Sequence, residues 1–261
     1  MKPNAAPRLI ASHITVVRSR RRTVDDVDLA LNAGELTILV GPNGAGKTTL
    51  VRAIIGLIAS KGSVSFDGTN LRAMTPRTRA RAISYLPQGH EFHWPMSVDS
   101  IVALGREPHA DPFSQTSATD RVAIERAMQA TEVTEFSSRL ISTLSGGERA
   151  RVAIARALAT EASVLIADEP TASLDERHQL IVMDLLQRVA HGGTAVLAII
   201  HDLALAMRFA DRVVVMHEGK IAANDTPALA LTPDRIADVF GISVNRVETP
   251  DGPLLIPSRA L

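Results

Sequence analysis

No cysteine occurs in the 261 residues, which excludes a disulfide framework, a thiolate metal site and a cysteine nucleophile. A surplus of positive charge is missing as well. Lysine and arginine number 28 against 28 aspartates and glutamates, so the chain lacks the field that drives general nucleic-acid binding, and no nucleic-acid partner is expected. Long apolar runs are absent: Ala195 to Ile200 and Val164 to Ala167 are far shorter than the roughly 20 residues that cross a bilayer. The first residues, MKPNAAPRLI, hold no apolar stretch of the secretory kind, so a cytosolic setting is the default expectation. What is present is ordinary globular material, 46% apolar and 21% charged, enough for one large domain or two small ones.

Three short apolar runs stand out: Leu36 to Val40, Val164 to Ala167 and Ala195 to Ile200. Each is continuous rather than alternating, which suits strands of a parallel sheet covered on both faces. Helical patterns at Thr48 to Ile58 and Glu148 to Ala159 alternate with them, so the expected class is α/β. Ile14 to Val17 and Gly62 to Phe66, the latter before the turn pair Asp67-Gly68, predict a small antiparallel piece. Between Gly89 and Leu140 strand signals vanish and prolines punctuate the chain, which reads as an inserted helical subdomain. Arg212 to Met216, Glu218-Gly219 and Lys220 to Ala222 predict one more hairpin.

Gly41-Pro42-Asn43-Gly44-Ala45-Gly46-Lys47-Thr48 matches the phosphate-loop pattern G-x-x-x-x-G-K-S/T between a strand and a helix. Glycines let backbone N–H groups curl round phosphates, the helix start adds positive potential, Lys47 reaches the β and γ phosphates, and Thr48 can ligate magnesium. The bland alternative is a glycine-rich turn capping a helix. Asp168 and Glu169 follow the second apolar run, at a strand's carboxyl end where open α/β sheets bind ligands. Asp168 can hold magnesium and Glu169 can take a proton from water, or the pair simply starts a solvated turn at Pro170.

His201 ends the third run; its imidazole either meets a γ-phosphate or caps the helix that begins near Asp202. Gln88 is a neutral ligand for magnesium or the attacking water, or a solvated loop residue. Ser145 and Glu148, in Leu144-Ser145-Gly146-Gly147-Glu148, match a capping box, which accounts for both. The paired glycines ask for more: they leave backbone N–H groups at a helix start open to an anion. A second anion site on a chain that already has a phosphate loop suggests a nucleotide sandwiched between two copies.

The succession phosphate loop, Gln88, LSGGE, Asp168-Glu169, Ala172-Ser173-Leu174-Asp175 and His201 resembles the nucleotide-binding subunit of ABC transporters over essentially the whole chain. The resemblance implies a P-loop NTPase of the ABC ATPase type: one ATP-binding domain over 1–261, a helical subdomain at 89–155 and a short C-terminal extension at 225–261. It further implies MgATP held by Gly41 through Thr48, by Thr49 and by Gln88, with Ser145, Gly146, Gly147, Glu148 and Asp175 reaching a second ATP across a head-to-tail homodimer. Thr48, Gln88 and Asp168 would serve the metal; Glu169, Lys47 and His201 would serve hydrolysis. Two transmembrane permease subunits would be gripped near Gln88, at the cytoplasmic face of the inner membrane, with a periplasmic substrate-binding protein acting through them.

One departure concerns adenine. Such subunits usually place a stacking aromatic upstream of the phosphate loop, where this chain reads Val17-Arg18-Ser19-Arg20-Arg21-Arg22. A guanidinium also stacks on rings, so Arg18 or Arg20 is the expected substitute. Gly105-Arg106-Glu107-Pro108-His109, LSGGERARVAIARALA and the tail Gly252 to Pro257 resemble importers of ferric siderophores, haem and cobalamin. His90, His93 and His109 suggest haem ligation, but this subunit does not bind cargo in the family. Other importers, exporters and soluble ABC ATPases are the alternatives; the soluble ones usually carry coiled coils or tandem domains, and neither is seen here.

Overall fold

The computed structural model describes residues 7–89, 95–111, 116–172, 174–249 and 252–261. The chain opens with a long hairpin, β1 (Pro7–Arg18) and β2 (Arg21–Asn32), turned by Ser19 and Arg20, both left-handed at φ 48° and 64°. β3 (Leu36–Val40) leads into α1 (Lys47–Ile54), and β4 (Lys61–Phe66) and β5 (Thr69–Asn70) return to the hairpin. The antiparallel sheet is ordered β2-β1-β4-β5. β2 escapes the sequence pattern because its buried set, Val24, Val27, Leu29 and Leu31, slips out of strict alternation between Val24 and Val27 and is masked by arginines and aspartates.

After α2 (Pro76–Ala82) and β6 (Ile83–Leu86) come three helices, α3 (Val98–Ala103), α4 (Ala118–Ala130) and α5 (Gly146–Ala159). The chain then alternates β7 (Val164–Asp168), α6 (Glu176–His191), β8 (Ala195–Ile199), α7 (Leu203–Phe209), β9 (Arg212–His217) and β10 (Lys220–Asp225). The main sheet runs β10-β9-β3-β8-β7-β6, parallel throughout except for β10 at its edge. The stretch expected as a short extension folds into α8 (Pro227–Ala230), α9 (Pro233–Phe240) and the hairpin β11 (Ile242–Thr249) and β12 (Gly252–Ala260), with Leu255 buried in the main core.

Every residue of β3, β7 and β8 is buried, and the reason lies in the pleat. Side chains alternate between faces. Leu165, Ala167, Val196 and Ala198 join one core with α5, α6 and α7. Val164, Ile166, Leu197 and Ile199 join a second core with α1 and the antiparallel sheet. A third cluster joins Val98, Ile101 and Val102 of α3 to Ala127 and Met128 of α4 and to Val152, Ala155 and Ala159 of α5. α5 also sends Ala153, Ile154 and Ala157 into the first core, so one helix is shared by both.

Candidate functional site

The carboxyl ends of β3, β8 and β7 are neighbours, and each carries a motif. β3 runs into the phosphate loop, β8 into His201, and β7 ends in Asp168 with Glu169 next. Gly46 is left-handed at φ 102°, and a β-carbon there would run into the Thr23 carbonyl and lie 3.0 Å from Met216 Cε. Only glycine fits. α1 has no side-chain cap and no acidic residue in its first turn, and its first internal bond is Leu50 N–H to Gly46 O at 2.8 Å. The amides of Lys47, Thr48 and Thr49 therefore have no acceptor within the helix and face the loop's mouth with the positive helix end.

Lys47 is 6% exposed, and its Nζ donates to Gly41 O at 2.7 Å and Pro42 O at 3.1 Å. Burial pushes the ammonium's pKa down, opposed by the charges of Glu169 and Asp168. Asp168 is fully buried: Thr48 Oγ1 donates to its Oδ1 at 3.2 Å and the Tyr85 hydroxyl to its Oδ2 at 3.2 Å. Burial raises its pKa, and the two hydroxyl bonds only partly offset this. Glu169 is left-handed at φ 54°, a conformation that costs a non-glycine residue of the order of 1 kcal/mol and marks functional turns. The kink brings Oε2 to 2.6 Å from Gln88 Nε2, which donates to it, and Oε1 to 2.6 Å from His201 Nε2. Lys47, Thr48, Gln88, Asp168, Glu169 and His201 are thus gathered into one polar cluster.

Ser145, Gly146, Gly147, Glu148 and Asp175 form a separate set. No side-chain hydrogen bond among the described residues joins the two. Ser145 caps α5, its Oγ accepting Glu148 N–H at 3.3 Å while Glu148 Oε2 accepts Ser145 N–H at 2.7 Å, the reciprocal box expected from the sequence. The Ser145 amide is the main cause holding the Glu148 carboxyl below its usual range. This box consumes the amides of Ser145 and Glu148 but leaves those of Gly146 and Gly147 without an acceptor in the helix's first turn. Asp175 caps α6.

Sequence reasoning missed Tyr85, the chain's one tyrosine, which stands three positions before Gln88 on β6. That spacing on a strand was the available signal. His109 binds the Thr160 carbonyl through Nε2 at 3.0 Å, while His90, His93, Trp94 and Ser173 lie outside the described residues. No helix among the described residues is long and apolar enough to cross a membrane.

The family model described as ABC transporter matches residues 24–172. The hemin import ATP-binding protein of Rhodococcus jostii is 41% identical over 261 residues, covering 99% of this chain and 89% of that one. The hemin import ATP-binding protein of Myxococcus xanthus is 42% identical over 254 residues, 94% of each. Among solved structures, a chain of an inward-facing ABC transporter described as of metal-chelate type superposes with a TM-score of 0.84 at 22% identity, covering 97% of this chain and 98% of that one. The fold is that of an ABC-type P-loop ATPase, and the chain belongs to the ABC transporter family as one of its ATP-hydrolysing subunits.

Proposed function

We propose that this ATPase drives an importer of haem or a related metal chelate, such as a ferric siderophore or cobalamin. It works as a head-to-tail homodimer on two permease subunits at the cytoplasmic face of the inner membrane, with a periplasmic binding protein delivering cargo. The names of the relatives support the cargo class. The observation that carries the dimer is the division of phosphate-seeking groups into two sets on one chain, a cluster around Lys47 and bare amides at Gly146 and Gly147.

In this reading ATP enters the phosphate loop, and Lys47 exchanges the carbonyls of Gly41 and Pro42 for phosphate oxygens. The uncapped α1 amides of Lys47, Thr48 and Thr49 add hydrogen bonds that gain strength as charge builds on the transferred group. Glu169 accepts a proton from the attacking water, and His201, already in contact with it, holds the γ-phosphate in line. The Thr48 hydroxyl, the buried Asp168 carboxylate and the Gln88 amide are hard oxygen donors that suit magnesium, which when bound neutralises phosphate charge. Thr23 packs on Gly46, so the start of β2 borders the loop, which supports Arg18 or Arg20 as the stacking partner of adenine.

The test is Glu169→Gln. ATP affinity should stay near wild type while turnover falls by about 10²–10⁴-fold, the usual worth of a general base. ATP should also convert the variant to a lasting dimer, visible by light scattering after chromatography. Wild-type turnover in Glu169→Gln would remove Glu169 from the mechanism, and a monomer at saturating ATP would remove the sandwich.

A further inference from the structure

The glycine pair and Asp175 belong to different elements, yet one side chain touches both. His178, in the first turn of α6, places Nδ1 at 2.7 Å from Asp175 Oδ1, and that oxygen also accepts the His178 backbone N–H at 2.8 Å. Asp175 is held below the usual carboxylate range, first by the backbone bond and then by the ring. An ionised carboxylate only accepts, so Nδ1 carries the hydrogen and Nε2 is left on the far edge of the ring.

The rest of the ring lies against Gly147. A β-carbon at that position would stand 2.6 Å from His178 Cγ and 2.8 Å from Nε2, well inside the separation at which non-bonded carbons rest. At Gly146 the same β-carbon would meet nothing within 4 Å. The two adjacent glycines are therefore small for different reasons. Gly146 leaves its surface open, whereas Gly147 makes room for an imidazole. The side chain of His178 is only 24% exposed, and the contact runs between two helices that start at different places in the chain.

We propose that His178 is a positioning residue that locks the Gly147 backbone to Asp175, so that the α5 start and the loop before α6 present themselves to a partner chain as one rigid surface. The proposal rests on the dimer reading above. The imidazole touches no phosphate; it acts by fixing the angle at which the Gly147 amide and Asp175 stand to each other. Both elements of the contact are needed, the donor to Asp175 and the ring's bulk against Gly147. Because the side chains of His178 and Asp175 hydrogen-bond to each other and not to the Lys47 cluster, nucleotide binding to a single chain does not depend on the lock.

The experiment uses the full chain in a Glu169→Gln background, with ATP affinity measured by titration and dimer formation by ultracentrifugation. His178→Ala should leave ATP affinity within about twofold and weaken the ATP-dependent dimer by about tenfold, the size of a direct contact between neighbours. His178→Asn keeps a donor for Asp175, and His178→Phe keeps a ring beside Gly147; each should recover only part of the loss. Full recovery by either one alone, or an undiminished dimer in His178→Ala, overturns the lock. A parent that fails to dimerise with ATP refutes the dimer reading instead. The lock is then read from stability: Gly147→Ala should lower the melting temperature, and adding His178→Ala should restore part of it. A purely additive pair overturns the proposal independently of any dimer.

Discussion

The starts of α1 and α5 are both glycine-bearing helix termini with free amides, and they differ in how they are finished. α1 has no side-chain cap, begins from a left-handed glycine and brings its own cation, Lys47, which folds back onto two carbonyls. α5 is sealed by Ser145 and Glu148, has an acid at its third position with Arg149 turned back onto the Leu144 carbonyl, and leaves only the amides of exposed Gly146 and buried Gly147 without an acceptor in the helix. The contrast teaches that the first terminus is built to hold an anion by itself, with charge and a closed loop. The second, in the proposed dimer, offers dipoles to an anion that something else already holds. A carboxylate so near would repel a free phosphate, so the second surface gains from a phosphate already neutralised by a lysine and a cation elsewhere.

The widest test of this difference is Lys47→Ala. It should lower ATP affinity by about 100-fold or more, because it removes the one cation buried in the loop and leaves phosphate facing only dipoles. Titration with ATP checks it, and near-normal affinity would mean that α1 relies on amides alone, as α5 does. A smaller effect is expected on the base side of the nucleotide. Replacing both Arg18 and Arg20 by alanine should weaken ATP by roughly 3- to 30-fold if a guanidinium stacks on adenine. An unchanged dissociation constant would send the base elsewhere.

The third test concerns how each terminus is anchored. α1 grows out of the central strand β3, but α5 is held at its far end by Arg106, whose Nη1 donates to Ala159 O at 2.8 Å and Glu161 at 3.0 Å, while Nε donates to Asp120 at 2.8 Å. The Ser117 hydroxyl and then Arg106 hold the Asp120 carboxyl down at about 2. A depressed pKa stabilises the fold at pH values above the unfolded value near 4, and that contribution is lost as pH falls toward 2. Asp120→Asn should cost about 1.5–3 kcal/mol at neutral pH, the range for hydrogen bonds to charged groups. The wild-type melting temperature should fall between pH 4 and 2, and the variant's should fall less. Equal acid sensitivity in both would take Asp120 out of the anchor.

β3, β7 and β8 were legible in the sequence because each is flanked by two cores, which writes an unbroken apolar run, whereas β6, also set between both cores, was not, because Ser84 interrupts its run. The phosphate loop was legible because glycine, lysine and threonine at that spacing have few other uses. β2 was not, since its alternation shifts phase at a bulge near Asp26, left-handed at φ 54°, and sits in a run of charge. Neither was the C-terminal hairpin, whose apolar residues mean little until α7 and α9 give them a bed. Tyr85, despite its spacing from Gln88, and His178 were missed for a related reason. Each acts on a residue distant in the chain, Asp168 and Gly147, and no local pattern names the partner of such a pairing.

The division of α5 between two cores has a mechanical corollary. Ala153 and Ala157 lie on one side of the helix and Ala155 and Ala159 on the other, so most of what it buries is no larger than a methyl group. Short side chains let the neighbouring layers approach the helix axis closely, so that many weak contacts form at short range. The helix is thus a thin shim between two layers, and a leucine put in place of its buried Ala153 or Ala155 would act as a wedge that drives them apart.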